Sequence, residues 1–251
     1  MNRKNTLLST HPAVIAVWAA LIAVVTLVPA FPVISGGATF TVSAALVPLA
    51  GILFGPIPGA LCAAIGAFIG QLIAPHTVIF GPLTFLIPTL NALCAGFAMR
   101  KRWYVPLIVT VFFSAIWFVF PLGRAAWFQP IVWSLGVIAS LVGWFVASEW
   151  LGSDTRAKLF VGVFLAAMAG TIVDHSFGSL WALLMFQLPR EVWLSVLALA
   201  PMERTLFSLG AAIIGTPLLI GLPKIGVLVG QKMDEADIDR ASDEAFEEEW
   251  E

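Results

Sequence analysis

Four ionisable residues stand in stretches that are otherwise apolar, Asp174 with His175 in one and Glu203 with Arg204 in another. An ionisable side chain inside an apolar run needs a partner, and by default it marks a place where a ligand, an ion or a proton is handled. Gln71, His76 and Asn91 add polar groups within or just after neighbouring runs. Together these residue types could close an interhelical ion pair, hold a small polar molecule, or relay protons. They do not suggest covalent chemistry. No GxxxxGK[ST] phosphate loop, HExxH zinc pair, GxSxG elbow or GxGxxG fingerprint occurs, so no catalytic residue, metal site or cofactor is expected and the chain is not read as an enzyme. Cys62 and Cys94 have no CxxC or His partner at ligand spacing and are read as small core residues.

The elements that must position these groups follow from composition. Of 251 residues, 60% are hydrophobic and 11% charged, with a mean hydropathy of +0.97. That is too apolar for a water-soluble domain of this size, so lipid must be the solvent. The formal charge of −2 hides a division: residues 234–251 hold ten acids and one Arg, and the remaining body is basic. A like-charged stretch with few apolar groups should stay solvated, which divides the chain into a transmembrane domain at 1–225 and an acidic, disordered cytoplasmic tail at 226–251. The basic residues sit at the ends of apolar runs, where topology accounts for them, and no nucleic-acid partner is expected.

A spanning helix needs about 20 apolar residues. Runs occur near 12–31, 42–55, 57–75, 81–99, 103–122, 130–151, 158–187 and 201–222, predicting an all-α bundle of about eight spans. Arg3 and Lys4 ahead of the first run look like a secretory signal, but the run is too long and reads better as an uncleaved span. With eight spans and a cytoplasmic N-terminus, Arg3 and Lys4, Arg100–Arg102, Arg156 with Lys158, and Lys224 with Lys232 all fall on one side, as the positive-inside rule requires. Both termini are then cytoplasmic. At 1.5 Å per residue, Asp174 lies roughly 24 Å from a helix start near Lys158, in the outer part of the core. A last span entering at Pro201 would put Glu203 and Arg204 in its outermost turns, at similar depth. Gln71 and His76 would cap the third span and Asn91 would lie nearer mid-membrane. Phe40, Trp127, Trp181 and Trp193 could offer stacking surfaces to a ligand.

Small residues recur at four-residue spacing. Gly51, Gly55, Gly59, Gly66 and Gly70 allow close helix packing in the second and third runs, with Gly55-Pro56-Ile57-Pro58-Gly59 forcing a turn between them. In the first run, Ala16 with Ala20, and Ala19 with Ala23, give flat patches. Taken with Gly36-Gly37-Ala-Thr-Phe-Thr-Val and Ala50-Gly51-Ile-Leu-Phe-Gly55, these features resemble the substrate-binding S components of energy-coupling factor (ECF) transporters. The likeness is strongest over 12–99. It returns more weakly near Ala169–His175 and from Pro201 to Pro217.

The resemblance implies a six-helix core, here 12–99 and 158–222, with 103–151 as an inserted helical hairpin. It also implies a gating loop after the first helix. By the same likeness the chain would sit in a prokaryotic cytoplasmic membrane and bind a vitamin or related micronutrient. It would then join a transmembrane coupling subunit and two ATPases through Ala16 and Ala20 or through Ala19 and Ala23. Gln71, His76, Asn91, Asp174, His175, Glu203 and Arg204 are the substrate-binding candidates. A stand-alone proton-coupled transporter, with Asp174, His175 and Glu203 as the relay, is the alternative; the inverted repeats common in such proteins are not evident.

Overall fold

The computed structural model describes residues 12–32 and 39–230. Arg3, Lys4, Gly36, Gly37, Lys232 and the acidic stretch from 234 lie outside the described residues, and with them the expectations for the N-terminal charge, the gating-loop glycines and the tail. In lipid the backbone must satisfy its own hydrogen bonds, so the apolar runs become helices. In chain order these are α1 (Pro12–Val25), α2 (Ser43–Phe54), α3 (Pro56–Ile73), α4 (Leu86–Met99), α5 (Tyr104–Trp117), the short α6 (Pro121–Ala125), α7 (Pro130–Val142), α8 (Arg156–Phe186) and α9 (Arg190–Gly221). Between α1 and α2, β1 (Pro29–Pro32) and β2 (Thr39–Thr41) pair antiparallel, a two-stranded exception to the all-helical expectation.

Among the described residues eight substantial helices stand where eight runs were expected, but five segments have the length and apolarity to cross a membrane: Pro56–Ile73, Gly81–Met99, Pro130–Gly152, Arg156–Phe186 and Arg190–Ile225. Helices α1, α2 and α5 are apolar but shorter. The protein is a multi-pass helical membrane protein. Helix α2 is buried along almost its whole length, so it fills the bundle instead of facing lipid. Residues 226–230, expected to open the tail, belong to the body: Val229 is buried, and the Gly230 N–H donates to the Leu53 carbonyl at 2.8 Å.

The last helix corrects the sequence reading most. It begins at Arg190 rather than near Pro201, and runs through Pro201 and Pro217 without breaking. Helices α8 and α9 form an antiparallel pair, about 46 and 48 Å long, joined where Gln187 takes a left-handed conformation (φ 48°) ahead of Pro189. Both exceed a hydrocarbon core about 30 Å thick. Even so, Asp174 is about 27 Å from Arg156 and Arg204 about 26 Å from Gly221, so equal depth holds although its premise, a helix start at Pro201, does not.

Two hydrophobic cores result. One unites α1–α4, α8 and α9 around residues such as Ile22, Leu49, Leu53, Ala95, Val163 and Ala211. The other joins the 113–139 region to α8 and α9, with the Trp117 ring edge-on to Trp133 and Trp193 at centroid distances of 5.3 and 4.9 Å. Gly55, at φ +86°, makes the turn from α2 into Pro56. A Cβ on Gly51 would collide with the Ala92 backbone carbonyl, so α2 seats on α4 only because that side chain is missing. Gly51→Ala should therefore lower stability by about 2–3 kcal/mol, read as a lower unfolding temperature in detergent. Gly152→Ala, with open space around it, should not; equal melting of the two variants would show that α2 and α4 are not in such contact.

Candidate functional site

The ends of α1 and α3, the starts of α2 and α4, the first half of α9, the second half of α8 and the β-ribbon meet at the end of the bundle opposite Arg100–Arg102 and Arg156. At their meeting point the Arg204 Nη1 donates to Asp174 Oδ1 at 3.0 Å. The Asn91 amide donates to Asp174 Oδ2, also at 3.0 Å. That arrangement is built from small residues: Gly170, one turn before Asp174, lies so close to α4 that a Cβ there would press on the Asn91 carbonyl and amide oxygens. Phe40, from β2, lies over the guanidinium with its ring centroid 4.7 Å from Arg204 Cζ, a cation–π contact that strengthens away from water. Phe31 and Phe40 both rest edge-on against Phe207 of α9, which ties the ribbon to the bundle.

The pair stands between two cavities of different character. The first, about 120 Å³, lies between the second half of α8, the first half of α9 and residues 79–87; aromatic and aliphatic side chains wall it, including Phe80, Phe186 and Trp193, with His175 and Glu203 as polar lining. The second, about 140 Å³, lies among α1, β2, α2, α3 and α4, and carries the hydroxyls of Thr26, Thr39, Thr41, Ser43, Thr77 and Thr84 together with Gln71. Asp174, Arg204 and Phe40 line both. Several hydroxyls are held by local bonds: Thr26 Oγ1 donates to the Ile22 carbonyl at 2.8 Å, Thr84 Oγ1 to the Gly81 carbonyl at 2.8 Å, and Thr41 and Ser43 lie 2.7 Å apart. The Thr84 oxygen also accepts from the Phe80 N–H at 2.9 Å, and a hydroxyl oxygen has two acceptor positions in all.

Of the residues singled out from sequence, Asp174, His175, Glu203 and Arg204 converge on the first cavity, and Gln71 reaches the second while donating to the Pro82 carbonyl at 2.9 Å. The His175 Nε2 is 3.4 Å from the amide nitrogen of Gln129. Asn91 lines neither cavity and acts as a brace behind Asp174. His76 lies exposed on a short turn after α3 and lines neither cavity, because the polypeptide leaves the helix at Ala74. Among the aromatics, Phe40 and Trp193 line a cavity, Trp181 stacks behind Phe80 at 5.1 Å, and Trp127 is exposed.

On α1, Ala19 and Ala23 are buried, with the Ala19 carbonyl packed against Gly66 of α3, whereas Ala16 and Ala20 are exposed. The sequence reading missed the hydroxyl wall, Phe80, Phe186 and Gln129. The Thr39-Phe40-Thr41 alternation was a readable strand signal, but hydroxyls scattered singly over helix ends and turns were not.

The family model of the ECF-type riboflavin transporter S component matches residues 8–190. An uncharacterized protein of Methanocaldococcus jannaschii is 26% identical over 158 residues, covering 63% of this chain and 53% of that protein, so the chain spans about half the length of that relative. No solved structure matches. With the family model running from before α1 to the start of α9, the chain belongs to the S-component family of ECF-type riboflavin transporters.

Proposed function

We propose that this chain is the substrate-binding subunit of an ECF importer in a prokaryotic cytoplasmic membrane, and that it takes up a riboflavin-like vitamin from the outer face. The observation that carries the reading is the buried Asp174–Arg204 pair, capped by Phe40, at the boundary of two cavities with opposite chemistry. A flavin has both halves: a flat heteroaromatic ring suited to the aromatic cavity and a polyhydroxyl chain suited to the hydroxyl-lined one. The family's own substrate name points the same way. The basic clusters at the opposite end of the helices favour an outward-facing site. Gln71, Asp174, His175, Glu203 and Arg204 then form the binding set, with Asn91 holding Asp174. Segment 103–151 is read as an addition to a six-helix core, in keeping with the second hydrophobic cluster, through which it packs on α8 and α9.

A binding subunit of this kind draws its energy from elsewhere, through a transmembrane coupling subunit and two ATPases docked on α1. The purified chain should bind riboflavin and quench its fluorescence, with a dissociation constant at or below about 1 μM. Uptake into cells should require the ATPases and survive a protonophore. Riboflavin uptake that collapses with the protonophore and ignores ATPase loss would replace this reading by the stand-alone proton-coupled transporter.

A further inference from the structure

We infer that Glu203 reads the ligand in the aromatic cavity, selecting planar heteroaromatic rings whose edge presents an N–H donor; this rests on the binding role proposed above. Glu203 is 4% exposed and lines the first cavity. Among the described residues no hydrogen bond or ion pair reaches its carboxylate, because the neighbouring Arg204 guanidinium is turned to Asp174. The imidazole of His175 faces Gln129 instead.

Arg204 gives its hydrogen bond to Asp174, which leaves the Glu203 carboxylate beside a guanidinium it does not contact and without a hydrogen-bonding partner among the described residues. Burying such a group without a partner costs several kcal/mol, so this pocket is incomplete until something donates to it. An ionised carboxylate only accepts hydrogen bonds; the occupant must therefore bring the donor.

The walls determine the shape of that occupant. Phe80 stacks on Trp181 and Phe186 at interplanar angles of 12° and 22°, fixing a flat surface, and Trp193 is held by its Nε1 donating to the Leu188 carbonyl at 3.2 Å. Phe80, Phe186 and Trp193 line the same cavity as Glu203, so a flat ring held among them shares that cavity with the carboxylate. In a flavin the ring edge carries an imide N–H. The family match ends at residue 190, so this role for Glu203 comes from the geometry alone.

The test compares riboflavin with its N3-methyl derivative on the purified full chain, in wild type, Glu203→Ala and Glu203→Gln. Wild type should bind riboflavin about ten- to hundredfold more tightly than the methylated compound. Glu203→Ala should lose most of that preference, and Glu203→Gln, whose amide oxygen still accepts, should keep part of it. Equal binding of the two compounds by wild type overturns the inference without any variant, so misfolding cannot hide the answer. Undiminished preference in both variants overturns it too. If wild type binds no flavin, the same proteins are titrated with guanine, a pterin and thiamin. Binding of one of these that weakens at least about tenfold in Glu203→Ala upholds the role of Glu203 while the flavin assignment falls; binding of none overturns both.

Discussion

Arg204→Met should be among the most damaging single substitutions in the bundle, lowering stability by about 3–5 kcal/mol and abolishing ligand binding. The Arg204 side chain is 3% exposed and that of Asp174 15%. Removing the guanidinium strands the carboxylate with the Asn91 amide as its remaining partner and takes away the cation over Phe40. The damage comes less from a lost attraction than from a charge left in a dry place. Hence the double variant Asp174→Asn with Arg204→Met should regain most of the stability, since replacing both members of a buried pair is often near neutral. Binding should not return, because both residues line both cavities. Unfolding in detergent and riboflavin titration of the two proteins check these outcomes. A single variant as stable as wild type would show that the pair is wetter than its geometry implies.

The medium, the helical character of the apolar runs and the convergence of Asp174 with Arg204 were legible in the sequence because lipid imposes them. Apolar runs must be helices, and charges within them must meet. What escaped was set by tertiary context. Pro201 reads as a helix start, yet the polypeptide from Arg190 is already helical, and Pro201 is carried in mid-helix with its carbonyl accepting from Thr205 Oγ1 at 2.7 Å. From sequence His76 read as a cap on the third span and Asn91 as a polar group nearer mid-membrane, both facing a ligand. Asn91 sits where Gly170 lets α8 touch α4, whereas His76 falls just beyond the end of α3. The hydroxyl wall was invisible for a different reason: its members come from five separate segments, and a lone Thr bonded to the carbonyl one turn back is ordinary in an apolar helix. The two alanine pairs of α1 differ by less than one helical turn, and only the packing of α3 decides which of them is covered.

That difference yields the second large effect. Ala20→Trp should break association with the ATP-driven module, weakening co-purification by more than about tenfold, or ~1.4 kcal/mol, while riboflavin affinity of the isolated chain stays unchanged. Ala20 is exposed beside Val17 and Val24, which are 70% and 59% exposed, so an indole there disturbs nothing within the bundle. In a membrane, helices associate through close backbone approach over small residues, and a large ring on that face holds a partner helix off. Ala19→Trp should behave in the opposite sense. Its side chain is 1% exposed and its carbonyl packs on Gly66, so the indole must push α1 off α3, and the protein should lose stability and ligand binding together. Co-expression with a tagged coupling subunit and the two ATPases, followed by pull-down and flavin titration, separates the two cases. If Ala20→Trp still co-purifies and still supports ATP-dependent uptake, the docking face is not on α1, even though the proposed ligand site would stand.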